Sequence, residues 1–238
     1  MMFVGSASLY NRASMHSSEA EGQRVLPLIA EAKQRGQRVV FASMGSVIPL
    51  TYNFKPGVKA FVDRTLRLLF EEFRRRPTVE LMLATTDMEY DAGDPQSPFF
   101  GLPPNVHLFS WVPQLRLLPL VDAFISHGGA NSLNESLSAG VPMLIIPFGR
   151  GDQPTNGAIV HALKAGTHLP FDPDSQLDPE IDPERSSVTE QGIHDALTLV
   201  LSLEAAQRAH ELSQEYRRYS FKQTIPALID WIEKHSNK

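Results

Sequence analysis

Short apolar runs alternate with helical stretches along most of this chain. The runs Arg38–Ser43, Val79–Ala84, Val106–Phe109, Ala123–Ser126 and Met143–Ile146 have the length and content of buried strands. Between them, apolar residues recur at helical spacing over Leu26–Arg35, Gly57–Arg75, Gln114–Leu118, Asn131–Ala139 and Thr155–Ala165. Gly36 and Gly140 follow two of these patterns directly, as C-terminal caps do, and Pro142 stops any continuation. Such alternation predicts βαβ units and an α/β fold with a doubly wound, mostly parallel sheet. Further helical patterns follow at Thr189–Ser202, Leu203–Arg218 and Lys222–His235. Two stretches read as surface loops: Thr85–Asn105, with four prolines and two glycines, and Phe171–Ser187, with three Asp-Pro pairs.

Composition narrows the class without naming it. A chain of 238 residues, 42% hydrophobic and 21% charged, fits one large globular domain, alone or with appended helices. The net charge of −5 argues against a nucleic-acid platform, which carries a basic excess. With no cysteine there is no disulfide framework and no thiolate metal site, and a cytoplasmic location is the expectation. The longest apolar run, Val141 to Phe148, contains two prolines and falls far short of the roughly 20 residues of a membrane span. Met1 to Ser6 lacks the basic region and apolar core of a signal peptide and reads as an interior strand or linker of a longer architecture. The run Glu71 to Arg76 reads as a solvated helix end, its cations suitably near the C-terminus.

Four polar clusters follow four predicted strands, where open α/β sheets bind ligands. Met44-Gly45-Ser46 follows the first, Trp111-Val112-Pro113-Gln114 the third, His127-Gly128-Gly129-Ala130-Asn131-Ser132 the fourth and Gly149 to Gln153 the fifth. The two glycines after His127 permit a sharp turn and a close backbone approach to a ligand, and the helix that follows offers unpaired N–H groups to an anion. Trp111 suits base stacking, with the backbone at Val112 free to read a base edge. Asp152 and Gln153 suit sugar hydroxyls. Base, diphosphate and sugar in that order are the parts of a nucleotide sugar. Plainer roles stand beside each: Ser132 and Glu135 match a capping box, His127 a structural histidine at a strand end, Trp111 a core residue, and Gln114 and Asp152 helix caps. A generic dinucleotide-binding oxidoreductase is disfavoured, because no Gly-x-Gly-x-x-Gly opens a helix.

The combination Trp111-Val112-Pro113-Gln114, Ser126 to Ser132, Glu135, Gly140-Val141-Pro142 and Asp152-Gln153 closely resembles the signature of the UDP-glycosyltransferases, the family 1 enzymes of the GT-B fold. Phe41 to Ser46 resembles their strand and serine turn, and Phe3-Val4-Gly5 the linker ahead of their C-terminal domain. The resemblance implies the Rossmann-like C-terminal half of a GT-B fold, with residues 1–36 as linker and first helix, 37–238 as the UDP-sugar donor domain, and extra helices over 189–235. It further implies that Trp111 stacks on uracil while the Val112 backbone pairs with its edge, and that Gln114 and Glu135 hold the ribose. Ser46, His127, Gly128, Gly129, Asn131 and Ser132 would line the diphosphate, and Asp152 and Gln153 the sugar. Glu135 would favour UDP over dTDP and Gln153 would favour glucose. Inverting transfer without cofactor or metal is implied, so Asp172-Pro173-Asp174 is not expected to ligate one.

In this family the acceptor pocket and the catalytic histidine–aspartate pair belong to an N-terminal domain that nothing in this sequence matches; His16 is no substitute. The segment Pro49–Phe61 is long for the loop after the serine turn. The leading expectation is therefore a donor-binding half that carries no catalytic residue of its own. It would require an acceptor domain in cis or in trans, bind neither membrane nor nucleic acid, and present an interdomain face open to self-association or to the helix Lys222–His235. The alternative is a non-catalytic nucleotide-sugar-binding or partner-binding module.

Overall fold

The computed structural model describes residues 19–45, 47–86, 88–149, 151–171 and 188–218. In chain order the elements are α1 (Glu19–Gln34), β1 (Arg38–Ser43), α2 (Val47–Phe54), α3 (Pro56–Arg74), β2 (Val79–Ala84), β3 (Val106–Phe109), α4 (Gln114–Leu117), β4 (Ala123–Ser126), α5 (Ala130–Ala139), β5 (Met143–Ile145), α6 (Asp152–Ala162), β6 (Gly166–His168), α7 (Glu190–Val200) and α8 (Leu203–Arg218). A 3₁₀ turn over Leu118–Leu120 joins α4 to β4. The strands form one sheet in the order β3-β2-β1-β4-β5-β6, every pairing parallel. This is the doubly wound arrangement that the alternation predicts, with its strand order reversing between β1 and β4.

Burial on both faces explains why the strands are almost wholly apolar. Val40, Ala42, Leu81, Leu83, Ala123 and Ile125 point to one side, against α3 and α7. Val39, Phe41, Met82, Ala84 and Phe124 point to the other, against α1 and α5. Phe41 and Phe124 are register partners and stack at 5.0 Å between ring centroids, flooring the sheet at its reversal point. α3 starts on Pro56, which fits a first helical turn. It buries Val58, Phe61, Val62, Leu66, Leu69, Phe70 and Phe73, the helical-period stripe of the sequence. Each such side chain contributes about 1.5–3 kcal/mol of burial.

Several boundaries differ from the sequence expectation. Pro49–Phe61 is not a loop: Val47–Phe54 forms a helix, with Pro49 in its first turn, where a missing N–H breaks no helical bond. α2 is tied to α3 by Tyr52, which donates to Asp63 Oδ1 at 2.7 Å and accepts from Lys59 Nζ at 2.9 Å. Burial holds the Tyr52 phenol above its ordinary value, the bond from Lys59 opposing it. For Lys59, burial acts downward but the hydrogen bonds to Asp63 and Tyr52 outweigh it. α1 begins seven residues before Leu26, at Glu19, and carries Pro27 inside it. α6 begins at Asp152 rather than Thr155 and ends at Ala162, which leaves Gly166–His168 free to add a sixth strand. Gly36 and Gly140 do close α1 and α5 in the left-handed region. The helix expected at Lys222–His235, the Phe3-Val4-Gly5 linker, the Asp172-Pro173-Asp174 segment and most of the Phe171–Ser187 loop lie outside the described residues.

Candidate functional site: a crevice at the strand-order reversal

A doubly wound sheet opens a crevice at its carboxyl edge where connections leave in opposite directions, here between β1 and β4. The turn after β1 runs through buried Met44 to Gly45, at φ +71°. The turn after β4 begins at His127. These two turns touch: a Cβ on Gly45 would stand 2.5 Å from His127 Cε1, and one on Gly129 would stand 2.5 Å from His127 Nε2. The imidazole therefore occupies a slot between two glycines, partly exposed at the crevice. Ser46, the third residue of the first turn, lies outside the described residues.

Beyond His127, Gly128 N–H donates to Ser126 Oγ at 3.2 Å. α5 then opens at Ala130 with Gly129 as its N-cap. The capping-box alternative does not form: Ser132 is the third residue of the helix, not its cap, and is buried. Glu135, 1% exposed, instead accepts from Gln114 Nε2 at 2.7 Å. Gln114, the first residue of α4, thus meets Glu135 rather than capping its own helix. Asn131 is exposed at the first turn of α5, and Trp111 is partly exposed while neighbouring Val112 is buried.

α6 opens alongside. Its N-cap is Gly151, so Asp152 is the first helical residue and not a cap, and its carboxylate is exposed. Gln153 folds back, its Oε1 accepting from Phe148 N–H at 2.8 Å. Glycine at both N-caps means that no cap side chain meets the first amides of α5 or α6, which are left for an anion or water. The two helix starts are adjacent, because a Cβ on Gly128 would lie 3.0 Å from the Gln153 carbonyl oxygen. One residue that the sequence reading passed over joins them: buried Asn156 donates from Nδ2 to Gly128 O at 2.7 Å and lies 3.5 Å from Asp152 Oδ2. Its spacing of four from Asp152 was the available signal, since such pairs share a helix face.

Of the predicted residues, the fold brings His127, Gly128, Gly129, Asn131 and Ser132 to the crevice, couples Gln114 to Glu135, and sets Asp152 and Gln153 beside Gly128. Among the described residues no group of three or more His, Asp or Glu side chains is placed to hold a metal ion, and no helix is long and apolar enough to cross a membrane.

A doubly wound parallel domain with two glycine-opened helices along its carboxyl edge has the Rossmann-like fold found in GT-B glycosyltransferases. Known proteins agree with that class. The family described as UDP-glucoronosyl and UDP-glucosyl transferase matches residues 89–178. UDP-glucuronosyltransferase 3A1 of Mus musculus is 46% identical over 71 residues, 29% of this chain and 13% of that protein. UDP-glucuronosyltransferase 2C1 of Oryctolagus cuniculus is 54% identical over 70 residues, 29% of this chain and 14% of that protein. The solved glycotransferase of kitacinnamycin superposes with a TM-score of 0.58 at 29% identity, covering 82% of this chain and 42% of that one. Os79 from O. sativa, solved in complex with U2F and trichothecene, superposes at 0.63 with 18% identity, over 88% of this chain and 44% of that one, and so attests the fold alone. Over residues 89–178 the chain is similar to the UDP-glycosyltransferase family. It spans less than half the length of these solved relatives, and the matched stretches span about one seventh of the two mammalian ones.

Proposed function

We propose that this chain is the donor-binding half of an inverting, metal-independent UDP-sugar glycosyltransferase. The observation that carries the reading is the convergence at one crevice: the His127 ring seated between Gly45 and Gly129, beside two helix starts with no side chain at their N-caps. A diphosphate fits this setting, because the first-turn amides and the imidazole can all donate to it. Trp111 supplies a face for uracil, and the Gln114–Glu135 pair fixes a carboxylate for ribose hydroxyls. The bond from Phe148 commits the acceptor end of Gln153 to the main chain, so its amino group serves the sugar, with Asp152 as the complementary acceptor. An acidic residue there favours a neutral hexose such as glucose over a carboxylated one. The catalytic base and the acceptor pocket belong to an N-terminal domain supplied in cis or in trans.

Isothermal titration of the chain with UDP, UMP and dTDP tests this directly. UDP is expected to bind more tightly than UMP, which lacks the β-phosphate, and more tightly than dTDP, which lacks the 2′-hydroxyl. A folded chain that binds none of the three at millimolar concentration would sink the proposal. The His127→Ala variant is expected to lose roughly 10- to 100-fold in UDP affinity, the worth of one charge-assisted hydrogen bond, while uridine affinity stays within about twofold. Equal losses for both ligands would remove His127 from the phosphate.

A further inference from the structure

We infer that Asn156 is a positioning residue that aims the Gly129 N–H at the diphosphate; this rests on the donor-site reading above. Asn156 lies on α6, outside the turn it acts on, and is 8% exposed. Its Nδ2 donates to Gly128 O at 2.7 Å, and only the amino end of the amide can donate to a carbonyl, so the side-chain orientation is set by that bond. The Gly128 carbonyl and the Gly129 N–H belong to one trans peptide, in which the two groups point in opposite directions. Fixing the carbonyl toward α6 therefore turns the N–H away from α6. Gly128 has no side chain to resist rotation of that peptide, and its φ of +91° is open to glycine at little cost. Without an external tie the peptide can rotate; the Asn156 amide supplies the tie.

The same amide lies 3.5 Å from Asp152 Oδ2, one turn earlier on α6. The turn that would carry the diphosphate and the carboxylate that would meet the sugar are thus held by one side chain. Packing reinforces the link, since a Cβ on Gly128 would also meet the Ile145 methyl at 2.8 Å. Asn156 touches no proposed ligand group itself and acts through the peptide that does.

The test compares the wild-type chain with Asn156→Leu and with the isosteric Asn156→Asp, titrated with uridine and with UDP. Both variants remove the neutral donor, and the second keeps the shape should leucine perturb folding. In either folded variant UDP affinity should fall roughly 10- to 100-fold while uridine affinity holds within about twofold. A second readout is the Gly129 amide resonance, which UDP should shift strongly in wild type and weakly in the variants. Undiminished UDP binding, or equal losses for uridine and UDP, would overturn the role of Asn156 and leave the donor site standing. A wild-type chain that binds neither nucleotide would instead remove the donor site and this role with it.

Discussion

Gly166→Ala is expected to unfold the sixth strand and lower stability by about 4 kcal/mol, roughly 10 °C or more in Tm for a chain of this size. Gly166 opens β6 opposite Met143, at φ +148°. That backbone conformation swings the Cβ position into the neighbouring strand: it would stand 2.0 Å from Met143 O and 2.7 Å from Met143 N. Neither atom belongs to a side chain that can rotate away. Relief requires β6 to leave the sheet, with loss of the ladder bonds from Met143 N–H to Ala165 O and from Leu169 N–H to Ile145 O. The consequence reaches the site, because α6 is held between β5 and β6 and carries Asp152, Gln153 and Asn156. Thermal unfolding followed by circular dichroism is the check. A midpoint within a degree or two of wild type would mean that β6 does not pair as described.

That sixth strand also marks where the sequence stops being readable. The strands Arg38–Ser43, Val79–Ala84, Val106–Phe109 and Ala123–Ser126 were legible to the residue, because burial makes each a largely apolar run between polar turns, interrupted only by Glu80 and His107 in the interiors. Gly166-Thr167-His168 offers three residues, one of them apolar only by lacking a side chain, and no local period can announce it. α2 hid behind Pro49 and the Lys55-Pro56 break, which read as loop punctuation although a helix tolerates proline in its first turn. α1 extends into the mostly polar stretch before Val25, where no apolar period marks a start.

The site divides along similar lines. Which strand ends carry polar clusters follows from chain order, so the crevice was foreseeable. Which side chains meet within it was not. Gln114 and Glu135 stand 21 positions apart, and their hydrogen bond exists only because β4 and α5 bring α5 back beside α4. The capping-box reading of Ser132 and Glu135 failed for a local reason: Gly129 already serves as the N-cap, so the helix starts at Ala130, two residues before Ser132. The spacing of Asn156 from Asp152 hinted at a shared helix face, but its bond to Gly128 was not legible, since a main-chain carbonyl partner is encoded by no sequence pattern.

The second large effect follows from the slot that holds His127. Gly45→Val should reduce UDP affinity by more than about 100-fold, equivalent to roughly 2.7 kcal/mol, and stability by about 1–2 kcal/mol. Two penalties act independently. At φ +71° a β-branched residue is a steric outlier, which accounts for the loss of stability. The new Cβ would also lie 2.5 Å from His127 Cε1, and here the obstacle is the far end of a side chain, which can move. The ring, rather than the sheet, is therefore displaced, and Gly129 blocks its retreat on the other side only if His127 keeps its present rotamer. The deficit should exceed that of His127→Ala, because the donor is displaced and valine methyls fill the space a phosphate oxygen would take. On the proposed placement of uridine at Trp111 and the Gln114–Glu135 pair, uridine affinity should fall only a few-fold. Gly45→Ala should fall between wild type and valine for UDP, because it carries the same contact with less bulk. A folded Gly45→Val chain that binds UDP as wild type does would place the diphosphate away from the β1–β4 crevice.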